Sequence, residues 1–237
     1  VINSGSAFAG VKAGILGGIF YSGSIGIFNY SFLNFYKSTM LQTISERGCS
    51  GSVPGSAIPT PEECFTSFTV VYLPLTVILT FAFSLILASF YGRFFESIPG
   101  TRYWVKAIMV SLPAFFILLL LNSASNTLSV LFELVVTIFY SKILAFLYKR
   151  YTGVVKFPNN GAESLRMILD NKDVTGRSTT LAIGSLHNIR ALANQYSAFK
   201  EWSFAGNILI EDTKSFDTTM RVSGNGVLRA ISGQYKR

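Results

Sequence analysis

The 237-residue chain is half apolar and 14% charged, where soluble domains carry about 25% charged residues. With a mean hydropathy of +0.44, these values exclude an ordinary soluble domain. Its 21 Phe and 11 Tyr exclude a disordered chain, because they supply ample surface to bury.

The charge is unevenly placed. Residues 1–148 hold 7 Lys+Arg and 5 Asp+Glu, while residues 149–237 hold 13 and 7. The pattern predicts an α-helical membrane protein, with four transmembrane helices over residues 1–148 and a small α+β cytoplasmic domain over 149–237. A basic tail beside a bilayer is attracted to anionic head groups. Its charges are interspersed and form no nucleic-acid motif, so membrane lipids are the expected partners and no nucleic acid is expected.

A bilayer core about 30 Å thick takes roughly 20 apolar residues to cross as a helix. Four segments meet that length: 13–35, 70–91, 104–121 and 127–148. Glycines and asparagines dilute the first. Pro74 and Pro113 lie inside the second and third, where neighbouring helices can repair the lost backbone bonds around a kink. The link NSASN at 122–126 is short enough to make spans three and four an antiparallel hairpin. Residues 37–69, rich in Ser, Gly and Pro, read as a long polar loop.

Basic residues near span ends set the orientation. Lys12, Arg93, Arg102, Lys106, Lys149, Arg150 and Lys156 fall on one side, and only Lys37 and Arg47 on the other. The expectation is a multi-pass protein of the cell membrane with both termini cytoplasmic and the loop 37–69 facing outward. Tyr91, Tyr103, Trp104 and Tyr148 then mark the inner interface. The only two cysteines, Cys49 and Cys64, fall in the outward loop and enclose 14 residues. An oxidising exterior permits a disulfide there. With no His and no third Cys nearby, a metal site is not expected.

In the tail, Asn160-Gly-Ala-Glu163 followed by SLRMIL reads as a capped short helix. Leu186, Ile189 and Ala193 suggest a second helix over 185–196. Beyond Tyr196 the period becomes two: Trp202, Phe204, Ile208 and Ile210, then Phe216, Thr218, Met220 and Val222. Ser223-Gly-Asn-Gly226 reads as a hairpin turn, because Gly and Asn tolerate positive φ.

Three features bear on function. Gly10, Gly14, Gly18, Ser22 and Gly26 recur every fourth residue, a stripe that lets helices pack closely in lipid. Glu133 is the only acidic residue inside a span. A carboxylate at that depth is costly and normally faces protein or water, so a polar partner such as Tyr72, Ser111, Asn29 or another chain is expected. His187 is the sole histidine, and no nucleophile is evident beside it in sequence. No cofactor motif and no catalytic set is present. The expected function is a structural or accessory subunit of a larger membrane assembly, held to other subunits or to itself and without catalysis of its own. The alternative is a small oligomeric transporter or channel using Glu133. A lipid-acting membrane enzyme is less supported, since paired carboxylates are absent.

Overall fold

The computed structural model describes residues 4–48, 59–99, 102–121, 127–159, 165–193 and 197–234. Five helices come first: α1 (Ser4–Phe35), α2 (Lys37–Arg47), α3 (Pro61–Phe94), α4 (Tyr103–Leu121) and α5 (Thr127–Tyr151). Seven strands follow: β1 (Thr152–Phe157), β2 (Arg166–Leu169), β3 (Lys172–Asp173), β4 (Arg177–Ala182), β5 (Leu186–Leu192), β6 (Ser197–Ile210) and β7 (Asp217–Gln234). Two units divide the chain, and α1, α3, α4 and α5 contribute to both.

Among the described residues, three helical stretches are long and apolar enough to cross a membrane: Ala7–Phe35, Pro61–Phe94 and Val130–Tyr151. Four were expected. The remaining one coincides with α4, a 19-residue helix, but the side chains at 114 and 117–121 lie outside the described residues. Much of the expected loop 37–69 is helical. α2 is a polar helix with no buried residue. α3 starts at Pro61 behind a capping box: Glu63 accepts the Thr60 N–H at 2.7 Å, and Thr60 Oγ1 accepts the Glu63 N–H at 3.3 Å. Thr-Pro-Glu-Glu is the sequence signature of this start.

In the unit of 15–86 and 111–140, helices pack through small and aromatic side chains. A Cβ on Gly18 would overlap Ser84 Oγ and the Phe81 ring, and one on Gly26 would lie 2.7 Å from Val77. The rings of Phe28 and Phe132 stack 3.8 Å apart, and the Tyr140 hydroxyl donates to the Ser84 carbonyl at 2.7 Å. Val70, Val71, Leu75, Ile78 and Leu79 point outward from α3. So much exposed apolar side chain suits a lipid surround rather than water.

The other unit, 1–14, 87–110 and 141–237, joins helix ends to the strands. Tyr91 and Tyr148, expected as an interfacial belt, are fully buried and pack with Phe95 and Tyr103, whereas Trp104 is exposed. Lys106 donates to the Phe95 carbonyl at 2.7 Å, placing a cation at the negative end of α3. α5 runs into β1 without a linker, and Thr152 Oγ1 donates back to the Tyr148 carbonyl at 2.8 Å.

The strands form one sheet, ordered β3-β2-β5-β7-β1-β4 with β6 on β7, curved into a half-barrel. Among the described residues only the β1–β7 pairing is parallel. Phe157, Met167, Leu181, Ile189, Trp202, Ile208, Met220 and Leu228 fill its core. The tail is therefore strand-rich rather than α+β. Residues 160–164 of the first expected helix lie outside the described residues, and its remainder is β2, with Met167 and Leu169 turned inward. The second is β5, where buried His187, Ile189 and Ala191 alternate with exposed neighbours. Leu186, Ile189 and Ala193 fit a helical period, but the inward set repeats every second residue, as a half-buried strand requires.

Ser223–Gly226 is not a hairpin turn. β7 continues through it, and the β6–β7 turn lies at 211–216. The register jumps there, from Gly206↔Gly226 to Ile208↔Val222. This bulge bends β7, so its first half pairs with β5 and its later part with β1. Gly206, at φ +86°, faces the Asn225 carbonyl oxygen so closely that an added Cβ would lie 2.5 Å away.

Candidate functional site

A cleft of about 890 Å³ opens within the second unit. Its walls are the turn that ends α3, Tyr148 of α5, the β2–β3 turn and the neighbouring parts of β4 and β5. The β2–β3 turn is built by Asp170 and Asn171, at φ +46° and +67°. Two consecutive positive φ values make the tight hairpin in which Asp and Asn are favoured.

That turn aims the Asp170 carboxylate at β5. Oδ1 accepts the Asn188 N–H at 3.0 Å, and Oδ2 lies 2.6 Å from His187 Nδ1. His187 is buried, and its Nε2 lies 2.6 Å from Ser185 Oγ. Asp, His and Ser thus stand in the order of a nucleophilic triad. The serine's own bond decides against that chemistry. Ser185 Oγ also lies 2.6 Å from the Ala182 carbonyl oxygen. A carbonyl has no hydrogen to give, so the hydroxyl proton points there and Oγ accepts from His187. In this arrangement Nε2 donates to Oγ and is not placed to receive the serine proton, and Nδ1 faces the Asp170 carboxylate. Ser185 is also not part of the cleft wall, although Asp170 and His187 are. The row fastens the β2–β3 turn to β5.

The other acids of the cleft are engaged as well. Asp173 accepts from the Thr175 N–H at 3.0 Å and from Arg166 at 2.7 Å. The Thr175 amide, then the Arg166 guanidinium, lower its carboxyl to about 2. Glu96, in the turn after α3, accepts the Thr180 N–H at 2.8 Å. This covers an outer backbone group of β4, the end strand of the sheet path. The cations differ. Arg93, Lys172 and Arg177 line the cleft, exposed, with no side-chain hydrogen bond or ion pair among the described residues; Arg93 only stacks on Phe94, 5.8 Å from the ring centre.

The residues singled out from sequence lie elsewhere. Gly10 and Gly14 are buried on α1, and Gly10 backs onto Ala88 and Gly92 of α3. In the other unit, buried Gly18 and half-buried Gly26 face α3, and Ser22 bonds back to the Ile19 carbonyl at 3.4 Å. At Gly10, Gly18 and Gly26 the partner is therefore α3 of the same chain. Glu133 is half-buried and has no hydrogen-bond partner among the described residues. The nearby Thr137 hydroxyl is engaged instead with the Tyr21 hydroxyl at 3.4 Å. Cys64 lies in the first turn of α3 and Cys49 lies outside the described residues. Among the described residues no group of three His, Cys, Asp or Glu is placed to hold a metal ion.

Sequence reasoning missed the cleft. Two local signals pointed to parts of it: Leu169-Asp-Asn-Lys172, a two-residue hairpin sequence, and the alternation through His187-Asn-Ile-Arg-Ala191. Compared with known proteins, the chain matches no family model, no curated protein and no solved structure.

Proposed function

We propose that the protein is an integral membrane scaffold, an accessory subunit that holds a β half-barrel against the cytoplasmic face of the cell membrane. In this reading α4 is the fourth span, both termini are cytoplasmic, and Cys49 and Cys64 are joined on the outer side. The observation that carries it is the direct junction between helix ends and strands within one unit. β1 continues α5 without a linker, and Glu96 grips the β4 edge at Thr180. Such a junction leaves no flexible linker between the strands and the helix ends they join, unlike a tethered domain. Because much of the glycine stripe is used within the chain, the partner surface lies elsewhere. Two candidates remain, the outward apolar side chains of α3 and the free side of β6, which pairs only with β7 among the described residues. A long unpaired strand edge is a template for another chain.

Two measurements on the full chain test this. With Cys49 and Cys64 replaced by Ser, single cysteines at Ser125 and Ser178 are probed by an impermeant thiol reagent in intact cells. Labelling at 125 and protection at 178 are expected, and the reverse refutes the topology. The native mass in mild detergent should exceed that of the 26.0 kDa chain by defined partner subunits. A lone chain that conducts ions in liposomes, and loses conduction in Glu133→Gln, would replace the scaffold with the channel.

A further inference from the structure

We propose that the cleft between the α3 end turn and strands β2–β5 binds a phosphate-bearing anion, the headgroup of an anionic phospholipid or a soluble phosphate ester, through Arg93, Lys172 and Arg177. This goes beyond the scaffold reading and does not require it.

The argument begins with which charges are already spent. Three acids and three unburied cations line the cleft. Asp170 is committed to His187 and Asn188, Asp173 to Arg166 and Thr175, and Glu96 to the Thr180 amide. Each acid has a partner other than the three cations. Arg93, Lys172 and Arg177 come from three separate elements, the end of α3, β3 and β4, and have no acidic partner among the described residues. Three cations converging on one concave space create a positive field there.

The donor chemistry matches a phosphate. Two guanidinium groups offer planar forks suited to its oxygens, and an ammonium adds a point charge. Ser178 and Thr179 of β4 bring hydroxyls to the same wall. The Thr180 N–H points out of the sheet edge toward Glu96. Strand alternation sends the Ser178 N–H the same way, so β4 also offers a backbone donor to the cleft. A volume of about 890 Å³ lies in the range of sites for nucleotide-sized or headgroup-sized ligands. It is far larger than a bare phosphate needs, so the ligand carries an organic group. The exposed side chain of Leu186 in the wall would meet that group.

The test uses the full chain and named probes. Soluble binding is measured by titration calorimetry in detergent, with ATP as a phosphate ester and inorganic phosphate as the minimal anion. Lipid binding is measured in nanodiscs of phosphatidylcholine with or without phosphatidic acid, by heat stability of the folded chain and by lipid retained in native mass spectra. The test variant is Lys172→Glu with Arg177→Glu, both exposed. The control is Lys200→Glu with Arg229→Glu, which makes the same charge change on exposed positions outside the cleft. The test variant should weaken the bound probe by at least about tenfold, about 1.4 kcal/mol, while the control stays within about twofold. Binding of ATP in detergent identifies a soluble ester. An effect confined to phosphatidic acid in nanodiscs identifies a lipid headgroup. Equal weakening in the control, or no binding of any of the three probes by the parent protein, overturns the proposal. Trp202 fluorescence, which reports the half-barrel core, must match the parent in both variants; if the test variant has lost its core, Arg177→Gln alone is used and judged by the same criterion.

Discussion

Replacing Asp170 should cost the half-barrel a large part of its stability, and the structure allows the size to be worked out. The carboxylate accepts from the Asn188 amide and from His187. Bonds to a charged group contribute about 1.5–3 kcal/mol each. Asp170→Ala removes both, leaves a buried ring N–H without an acceptor, and puts Ala at φ +46°, a further cost of about 1–2 kcal/mol. Because these losses share one site they do not simply add, and about 4 kcal/mol is the expected total. For a domain of this size that lowers the unfolding midpoint by about 15 °C or more. Asp170→Asn keeps a residue at ease with positive φ and one acceptor oxygen, so it should cost about 1–2 kcal/mol. Ser185→Ala removes the acceptor on the far side of His187 and the donor to the Ala182 carbonyl, and should cost about 1–2 kcal/mol. The assay is denaturant or heat unfolding of the full chain, followed through Trp202. The chain has two Trp residues, and Trp104→Phe leaves the buried core residue as sole reporter. If Asp170→Ala unfolds within about 0.5 kcal/mol of the parent, the latch is not a stabilising element. If Ser185→Ala abolishes an ester hydrolysis that the parent performs, the proton assignment at Ser185 is wrong.

Four further outcomes are expected. Gly18→Leu should reduce the fraction of monodisperse chain surviving a heat step before gel filtration, because its Cβ already overlaps Ser84, whereas Ile15→Leu, at a side chain 43% exposed, should not; equal tolerance would remove Gly18 from the helix contact. Mass analysis without reductant should find the peptides of Cys49 and Cys64 linked, and opening that loop should cost about 3 kcal/mol; two free thiols in protein never exposed to reductant would end the pairing. Gly206→Ala should destabilise the half-barrel by at least about 2 kcal/mol in denaturant titrations, since its positive φ and the Asn225 oxygen both exclude a Cβ; a neutral result would mean the bulge is not fixed there. Asp173 is held below its unfolded value, so its contribution is present above about pH 4 and is lost as the pH falls toward about 2. Being solvent-screened, that contribution is under about 1 kcal/mol, and Asp173→Asn should flatten this part of the stability profile; an unchanged acid limb would assign it to other carboxylates.

The helical half was legible because an apolar run long enough to cross a bilayer shows in composition alone. Long apolar runs mark helices whose backbone must bond to itself, and 13–35, 70–91 and 127–148 coincide with helical segments for that reason. Thr60-Pro-Glu-Glu63 carries the signature of a helix start, but the loop reading of 37–69 passed over it. The β half was legible only where burial was one-sided and regular. Trp202 and Ile208 on β6, and Thr218, Met220 and Val222 on β7, point inward on the parity that the sequence sets. β5 was misread because a seven-residue strand offers too few residues to separate a period of two from one of 3.6. Ser223-Gly-Asn-Gly226 was misread for a different reason. Glycines that allow a chain to reverse also allow a strand to bulge, and the choice depends on partners far away in sequence. Here Gly206 on β6 and Val154 on β1, whose N–H is held by Asn225 Oδ1 at 2.8 Å, keep β7 extended through the kink.

The cleft was hidden because no single stretch of chain contains it. Arg93 lies in the last turn of α3, Lys172 sits in a two-residue strand and Arg177 opens another. In sequence each is one cation among twenty, with an ordinary solvated face as its natural explanation. What separates them is the disposition of the acids, and that is a property of pairing geometry. Asp173 lies closest in sequence to Lys172, yet its bonds go to Arg166 and Thr175. Asp170 lies two residues before Lys172, but a left-handed turn points it at β5. Glu96 lies three residues after Arg93, but it caps a strand edge 84 residues away. Charge counting over a window of sequence cancels these cations against those acids and finds nothing. The fold spends the acids on holding the walls together and leaves the cations facing the opening. The same hydrogen bonds that fasten the β2–β3 turn therefore also produce the unbalanced charge, so Asp170→Ala should loosen the wall beside Lys172 and weaken anion binding even though it removes a negative charge from the cleft. Simple electrostatics predicts the opposite sign, tighter binding, so the direction of that one change separates a built site from a diffuse basic surface.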